Sequence, residues 1–556
     1  MRRRKQAPAG AAIPVVDQSA PSWLGYSAAY AGIMLLLAFI GGVRGYTAIP
    51  WWDMWDGVIG FMAALNEGDN SAWWAQHNEH RIVLSRLLFW LDERLFGGQY
   101  IFLIAVNYLL VLATAALFWR MLKDLCGPAP LSPIERAFAW LLTAWLFLWT
   151  QSDNLTSPFQ SQFILAQLLP LAALYALAVS VQRGRVWFVL ACVLGVLALG
   201  AMANGVLALP LLALYALWLR QSAWRVAVLA LLALLCSWLY FHGFSAPSDH
   251  SSPLQTLLAH PLDALHYVCL YLGSPFHYLV FKGYLGRAFA SIMGAVLLGL
   301  TLRFTWQAWR SRAPAAVPLA LLFFLAYVCA SAVGTAGGRL LFGDQTALSQ
   351  RYTTPVLMAW AAMCLLCLPQ WRAWLSSRQG WTRCGLVGLL VLMLVVQLYA
   401  LKPLGGKMWQ RQLAVLAMEL AVRDTEQLEL LYPEPLRLQT VIEQARTQKL
   451  SVFADPVYAG VREQLGQVIS LNAWLPAVGQ IVEQNVLKDD ARFVRVFGSL
   501  ASEHGTTPVL ALVDENGRML GYALVHPAAD SSGQHLFGGY LLSGNASAQL
   551  HLLRRP

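Results

Sequence analysis

Two carboxylates, Asp53 and Asp56, stand three residues apart among tryptophans in Pro50-Trp51-Trp52-Asp53-Met54-Trp55-Asp56-Gly57. A carboxylate beside aromatic rings is costly unless something uses it. Partial burial raises its pKa toward neutrality, as a general base requires, and the indole faces suit the apolar faces of sugars. An aromatic belt with solvated acids is the plainer account of the same residues. Further along comes Gln76-His77-Asn78-Glu79-His80-Arg81. His77 and His80 are spaced to share a helical face with Glu79 between them, so a divalent ion could join them to Asp53. A polar helix start capped by Asn78 explains the cluster without a metal, and a polar site is favoured over a metal site.

Two later segments are polar without structural need. Asp153-Asn154-Leu155-Thr156-Ser157-Pro158-Phe159-Gln160-Ser161-Gln162-Phe163 leads into an apolar run, and Arg339 and Gln350-Arg351-Tyr352-Thr353-Thr354 flank the loop before the run at 355–370. A guanidinium at Arg351 suits an anionic partner such as a lipid phosphate. Snorkelling of Arg351 to the headgroups accounts for it equally well.

The elements that position these residues are membrane helices. The 556 residues are 58% hydrophobic and 12% charged, about half the charge of a soluble globular domain. The apolar runs reach the length needed to cross about 30 Å of hydrocarbon. The net charge of +10 does not indicate nucleic acid, because the basic residues lie between apolar runs rather than on one face. Eleven helices are expected, at 24–43, 101–120, 135–150, 161–181, 186–202, 204–219, 226–241, 288–307, 316–334, 355–370 and 384–401. Arg2 to Lys5, Arg120 with Lys123, Arg183 with Arg185, Arg220 with Arg225, Arg310 with Arg312, and Arg372 with Arg378 and Arg383 then fall on one side. The positive-inside rule makes that side cytoplasmic, the N-terminus with it, and places the C-terminus outside. The first apolar run begins too late, and lacks the small-residue site, for a cleavable signal. Asp263 to Tyr284, broken by Gly273 and Pro275, reads as an interfacial helix.

The expected organisation is a cytoplasmic tail over 1–23, a membrane domain over 24–403 with a first outer loop over 44–100, and an exported domain over 404–556. In the loop, Arg81 to Phe96 has the periodicity of an amphipathic helix lying on the membrane surface. The exported domain is expected to be α+β, with helices over Lys407–Asp424 and Pro435–Lys449 and a β-sandwich. Its strands include Phe493–Phe497, a hairpin of Val509–Val513 and Met519–Val525 closed on Asn516-Gly517, Leu536–Leu542 and Gln549–Leu553. All eight cysteines precede that domain. Cys364 and Cys367 form a C-x-x-C inside a helix, where packing is the expected role rather than redox chemistry.

A cytoplasmic N-terminus, acids just after the first helix and an amphipathic surface helix in the first outer loop resemble the GT-C superfamily of membrane glycosyltransferases. Pro50-Trp51-Trp52-Asp53, His77-Asn78-Glu79-His80-Arg81, Asn154 with Phe159-Gln160-Ser161-Gln162-Phe163, and Gln350-Arg351-Tyr352 are similar to segments of a bacterial subfamily that includes a type IV pilin arabinosyltransferase. The similarity covers about residues 20 to 400, and the acids sit at Asp53 and Asp56 instead of adjacent positions. It implies an inverting, inner-membrane enzyme that takes a sugar, with arabinofuranose one candidate, from a polyprenyl phosphate to a periplasmic protein or glycan. Asp53, or else Asp56, would be the base. Glu79, His80, Arg81, Gln160, Gln162, Arg339, Arg351 and Tyr352 would bind substrate. No metal is obligatory, although a divalent ion could be accommodated. Two other classes are open. A lipid-sugar transporter or flippase requires ionisable groups at mid-membrane and paired broken helices, of which there are few. An assembly protein with an exported binding domain leaves the polar first loop unexplained.

Overall fold

The computed structural model describes residues 26–245, 252–279, 283–311, 314–376, 380–402, 405–434, 438–458, 460–470, 474–501, 508–529, 533–545 and 550–554. Arg2 to Lys5, Lys282, Arg312 and Arg378 lie outside them. Each expected apolar run coincides with a helix. Among the described residues seven helices are long and apolar enough to cross a membrane: Ser27–Gly45, Ile101–Cys126, Pro158–Arg183, Ala223–Phe241, Tyr284–Arg310, Ala316–Phe342 and Cys384–Leu401. The other four expected runs form the shorter helices Pro133–Leu146, Arg185–Ala198, Ala208–Trp218 and Thr353–Leu366. The 14 residues of Pro133–Leu146 rise only about 21 Å at 1.5 Å per residue. The chain is therefore a multi-pass helical membrane protein with a β-containing C-terminal region.

Local chemistry explains the boundaries. Ser132 and Glu135 form a reciprocal capping box around Pro133. Ile101–Cys126 starts at Tyr100, held at φ 64. The segment from Asp263 is two helices, Pro261–Leu272 and Ser274–Leu279, interrupted at Gly273. They pack closely on Tyr284–Arg310 because a Cβ on Gly273 would lie 1.8 Å from the Ala290 carbonyl oxygen. The first loop carries the amphipathic helix Val83–Phe96 as expected.

The C-terminal region departs from the expected sandwich. It holds the helices Gly405–Glu419 and Gln439–Thr447 and one antiparallel sheet. Its strands are β1 Leu475–Ala477, β2 Gly479–Val486, β3 Phe493–Leu500, β4 Val509–Val513, β5 Met519–Ala529, β6 His535–Leu542 and β7 His551–Arg554, in the order β1-β7-β4-β5-β6-β3-β2. Register shifts that leave extra residues in β2 and, twice, in β5 supply the local bending that lets one sheet curl. Leu510, Leu512, Ala523, Phe537 and Leu541 pack together on one face, so no second sheet is needed. The β4–β5 turn has Gly517 at φ 74, with the Asp514 carboxylate accepting from the Asn516 and Arg518 amides. Asn516 and Gly517 lie in the turn that closes this hairpin, as expected.

The other face of the sheet joins the first loop. Ile49, Trp55, Ile59, Phe61 and Met62 share a core with Leu413, Leu416, Leu438, Phe453 and Tyr522. The loop over 44–100 and the C-terminal domain are therefore on one side of the helices. Single cysteines introduced at Asp69 and at Glu515, in a background lacking the native ones, should be labelled by an impermeant maleimide from the same side of sealed vesicles. Trp55 is fully buried, so Trp55→Ala should destabilise the junction by about 3–5 kcal/mol, read as earlier proteolytic release of the C-terminal domain.

Candidate functional site

The first loop is pinned before any site residue is placed. Arg81 and Arg86 are each 4% exposed. The Arg81 guanidinium donates to the carbonyls of Trp74, Tyr240 and His242, and its amide to the Tyr240 hydroxyl. Arg86 donates to the carbonyls of Trp73 and Ala75. Burial, and Arg81 beside it, lower the Arg86 pKa to about 10. The expected substrate-binding Arg81 is thus a clamp that fastens the loop to the end of helix Ala223–Phe241.

Between these clamps and the acids lies a tight turn. His77 and His80 exchange both backbone hydrogen bonds, at 2.8 and 2.9 Å, with Asn78 at φ 49. This overturns the helical reading. The two imidazoles do not share a helix face and Asn78 is no helix cap, because asparagine tolerates the left-handed region and closes a turn instead. The acidic segment also differs from a simple helix start. Trp52 is left-handed at φ 53, and Trp55–Gly60 is a π-helical turn, a rare form that recurs at functional sites. Gly57 has to lack a Cβ there, since one would lie 2.4 Å from the Phe159 ring and 3.3 Å from His77 Cε1. Of the three tryptophans, Trp55 is core, Trp51 lies under the Arg411 guanidinium at 4.5 Å, and only Trp52 is well exposed.

Two charge clusters meet at the turn. Burial lowers the His77 pKa, while Asp53 and Asp56 oppose that shift and Arg86 adds to it. On the other side, Glu79 Oε1 accepts from Arg339 Nη2 at 2.9 Å. His80 Nε2 is 3.7 Å from the same oxygen, and His80 Nδ1 faces the Ala203 amide at 3.3 Å. Burial on its own would raise Glu79, but His80 and Arg339 outweigh it and hold the carboxyl at about 2. Burial, with Arg339 and Arg351 nearby, brings His80 down to about 4, so the imidazole is neutral at pH 7. Accepting from Ala203 at Nδ1 places its proton on Nε2, toward Glu79.

Arg351 is set differently. Its carbonyl accepts from Asn154 Nδ2, and Gln350 accepts from Ser152. The turn is thereby fixed on the 152–154 segment. Among the described residues its guanidinium makes no hydrogen bond or ion pair, and Nε is buried without a partner. Burial raises the Asp153 pKa against the lowering influence of Arg351. Tyr352 is buried, with its ring beside Phe163 and Tyr271, and so supports Arg351 from beneath. Gln160 and Gln162 each have a buried Oε1 without a partner, next to Phe159, whose ring abuts His77 at 5.2 Å. Among the described residues no three His, Cys, Asp or Glu side chains are grouped as a metal ion requires. The eight cysteines are all free.

The His77–His80 turn thus lies between Asp53 and Asp56, which act on His77, and Glu79, Arg339 and Arg351, which act on His80. A proton acceptor and an unpaired guanidinium there can deprotonate one group and hold a phosphate of another. Two cavities lie elsewhere. One of about 650 Å³, between Trp218, Trp309 and Phe323, is mainly apolar, and one of about 490 Å³ lies between Tyr46, Gln99, Gln412 and Ser451. Tyr432, whose hydroxyl donates to Asp56 Oδ2 at 2.8 Å, had no signal in the sequence. No family model, curated protein or solved structure matches the chain.

The two shifted groups give the site a pH signature. His80, lowered from 6.5 to about 4, contributes stability that is complete above pH 6.5 and is lost as pH falls through about 4. Glu79, lowered from 4.5 to about 2, contributes stability that is complete above pH 4.5 and is lost only toward pH 2. Thermal unfolding of the detergent-purified protein should therefore weaken between pH 6.5 and 4, and His80→Gln should flatten that part of the curve.

Proposed function

We propose that the chain is an inverting membrane glycosyltransferase of the GT-C kind. It would transfer a sugar, with arabinofuranose a candidate, from a polyprenyl phosphate to a protein or glycan acceptor. The single observation that carries the reading is the meeting of the Asp53 cluster with the arginine cluster around His77 and His80. Glycosyl transfer needs a carboxylate base and a cation for the leaving phosphate within reach of one anomeric carbon.

In this reading the Asp53 carboxylate takes the acceptor hydroxyl proton. The acceptor oxygen forms the new bond at the anomeric carbon from the face opposite the phosphate. The old carbon–oxygen bond breaks, and its electron pair leaves with the polyprenyl phosphate. The Arg351 guanidinium, free of other partners among the described residues, receives that growing charge. Arg339 is already paired with Glu79 and so acts mainly by holding Glu79 and His80. Gln160 and Gln162 present unpartnered amide oxygens to sugar hydroxyls.

The same reading takes all eleven apolar helices as crossings, with the four short ones spanning a locally thinned bilayer. The N-terminus is then cytoplasmic, and the first loop and C-terminal domain are periplasmic at the bacterial inner membrane. Their shared core supports placing both on one side.

Transfer from a purified polyprenyl-phosphate sugar tests the assignment. Asp53→Asn should lower turnover by about 100-fold or more at unchanged protein level, and Asp56→Asn by less. Arg351→Ala should be nearly inactive and Arg351→Lys impaired in both donor KM and kcat, because the phosphate charge is present in the bound donor and grows as it leaves. Equal rates for Arg and Lys would remove Arg351 from the phosphate site.

A further inference from the structure

The residues that flank Asp53 are held from the C-terminal domain, one after another. The Trp52 amide donates to the Leu431 carbonyl at 2.6 Å. The Tyr432 hydroxyl donates to Asp56 Oδ2 at 2.8 Å across 376 residues. Arg411 lies over the Trp51 ring at 4.5 Å, and the Trp55 ring packs 6.3 Å from Phe453. Positions 51, 52, 55 and 56 thus all face the C-terminal domain. Between them, Met54 belongs to a separate core with Val58, Ile82 and Phe159, and Asp53 acts on His77.

We infer that the C-terminal domain is the positioning half of the site, and that Tyr432 is a positioning residue that holds Asp56, and with it the Asp53 segment, in its reactive geometry. The inference rests on the glycosyl-transfer reading for its kinetic consequence but not for its structural one. A left-handed tryptophan and a π-helical turn, within five residues of each other, are not a conformation that a loop keeps unaided. The Leu431 carbonyl and the Tyr432 hydroxyl supply the outside contacts that keep it. The hydroxyl contributes a charge-assisted hydrogen bond to a carboxylate, one of the stronger single contacts a side chain can make.

The experiment is Tyr432→Phe in the full-length protein, alone and combined with Asp56→Ala. Hydrogen–deuterium exchange over residues 51–57 is measured alongside transfer from a polyprenyl-phosphate sugar. The phenylalanine keeps the ring and removes only the hydroxyl. The expected result is faster exchange over 51–57 with no change over helix Ser27–Gly45, and a kcat lower by about tenfold or more at an unchanged donor KM. In the Asp56→Ala background, where the acceptor of the Tyr432 hydroxyl is gone, Tyr432→Phe should add nothing. A wild-type kcat in Tyr432→Phe, or losses that multiply in the double variant, overturns the inference. Faster exchange in a protein whose wild type transfers no sugar from such donors supports the positioning contact and removes the glycosyl-transfer reading instead.

Discussion

A buried guanidinium must place its donors on acceptors, and the arrangement of the first loop follows from two that do. Arg81 and Arg86 bind five backbone carbonyls between them, in Trp73, Trp74, Ala75, Tyr240 and His242. Those carbonyls belong to irregular chain and to a helix end, where no ladder or helix satisfies them. The charge and the orphan acceptors therefore require each other, and removing either arginine would leave several buried carbonyls unpaired. The consequence is geometric. With the chain fixed on both sides of the His77–His80 turn, the turn can present His77 to the acids and His80 to the arginines.

Burial then sorts the charges. His80 is neutral because burial disfavours its charged form, with Arg339 and Arg351 adding to that, and Glu79 stays ionised because His80 and Arg339 outweigh its burial. Arg339 is thereby neutralised locally, which among the described residues of this cluster leaves Arg351 as the guanidinium without an ion-pair partner. The carboxylates of Asp53 and Asp56 face a histidine whose charged form is disfavoured by burial. In the proposed reading one side of the site accepts a proton from a hydroxyl while the other receives the charge of a departing phosphate.

The C-terminal domain belongs to the same arrangement. Its sheet curls because bulges bend it, and the outward face so formed accepts Trp55 and Phe61 from the loop. Tryptophans that suggest sugar stacking in a linear reading are partly consumed by this junction: Trp55 is interior, and Trp51 lies beneath Arg411. The density of tryptophans beside the acids thus reports a domain contact as much as a ligand.

Much of the architecture was legible in the chain itself, because hydrophobic runs, capping residues and strand alternation are local signals. Membrane class, the places of the helices, the amphipathic Val83–Phe96 and the β character of the C-terminal region are all set by such periodicities. The residue types at the site were legible too, since Asp53, Glu79, Arg339 and Arg351 are charges placed where apolar helices end. What the sequence could not express is pairing at a distance. The bond of Glu79 to Arg339 spans 260 residues and that of Tyr432 to Asp56 spans 376. The turn at Asn78 and the clamping role of Arg81 depend on carbonyls offered by helix Ala223–Phe241, and one curled sheet in place of a sandwich depends on bulges in β2 and β5. By itself the sequence determined which segments are apolar and where charge is concentrated. Only the tertiary structure decided which charges neutralise one another and which stay open to a substrate, because that depends on the neighbours that burial brings within a few ångströms.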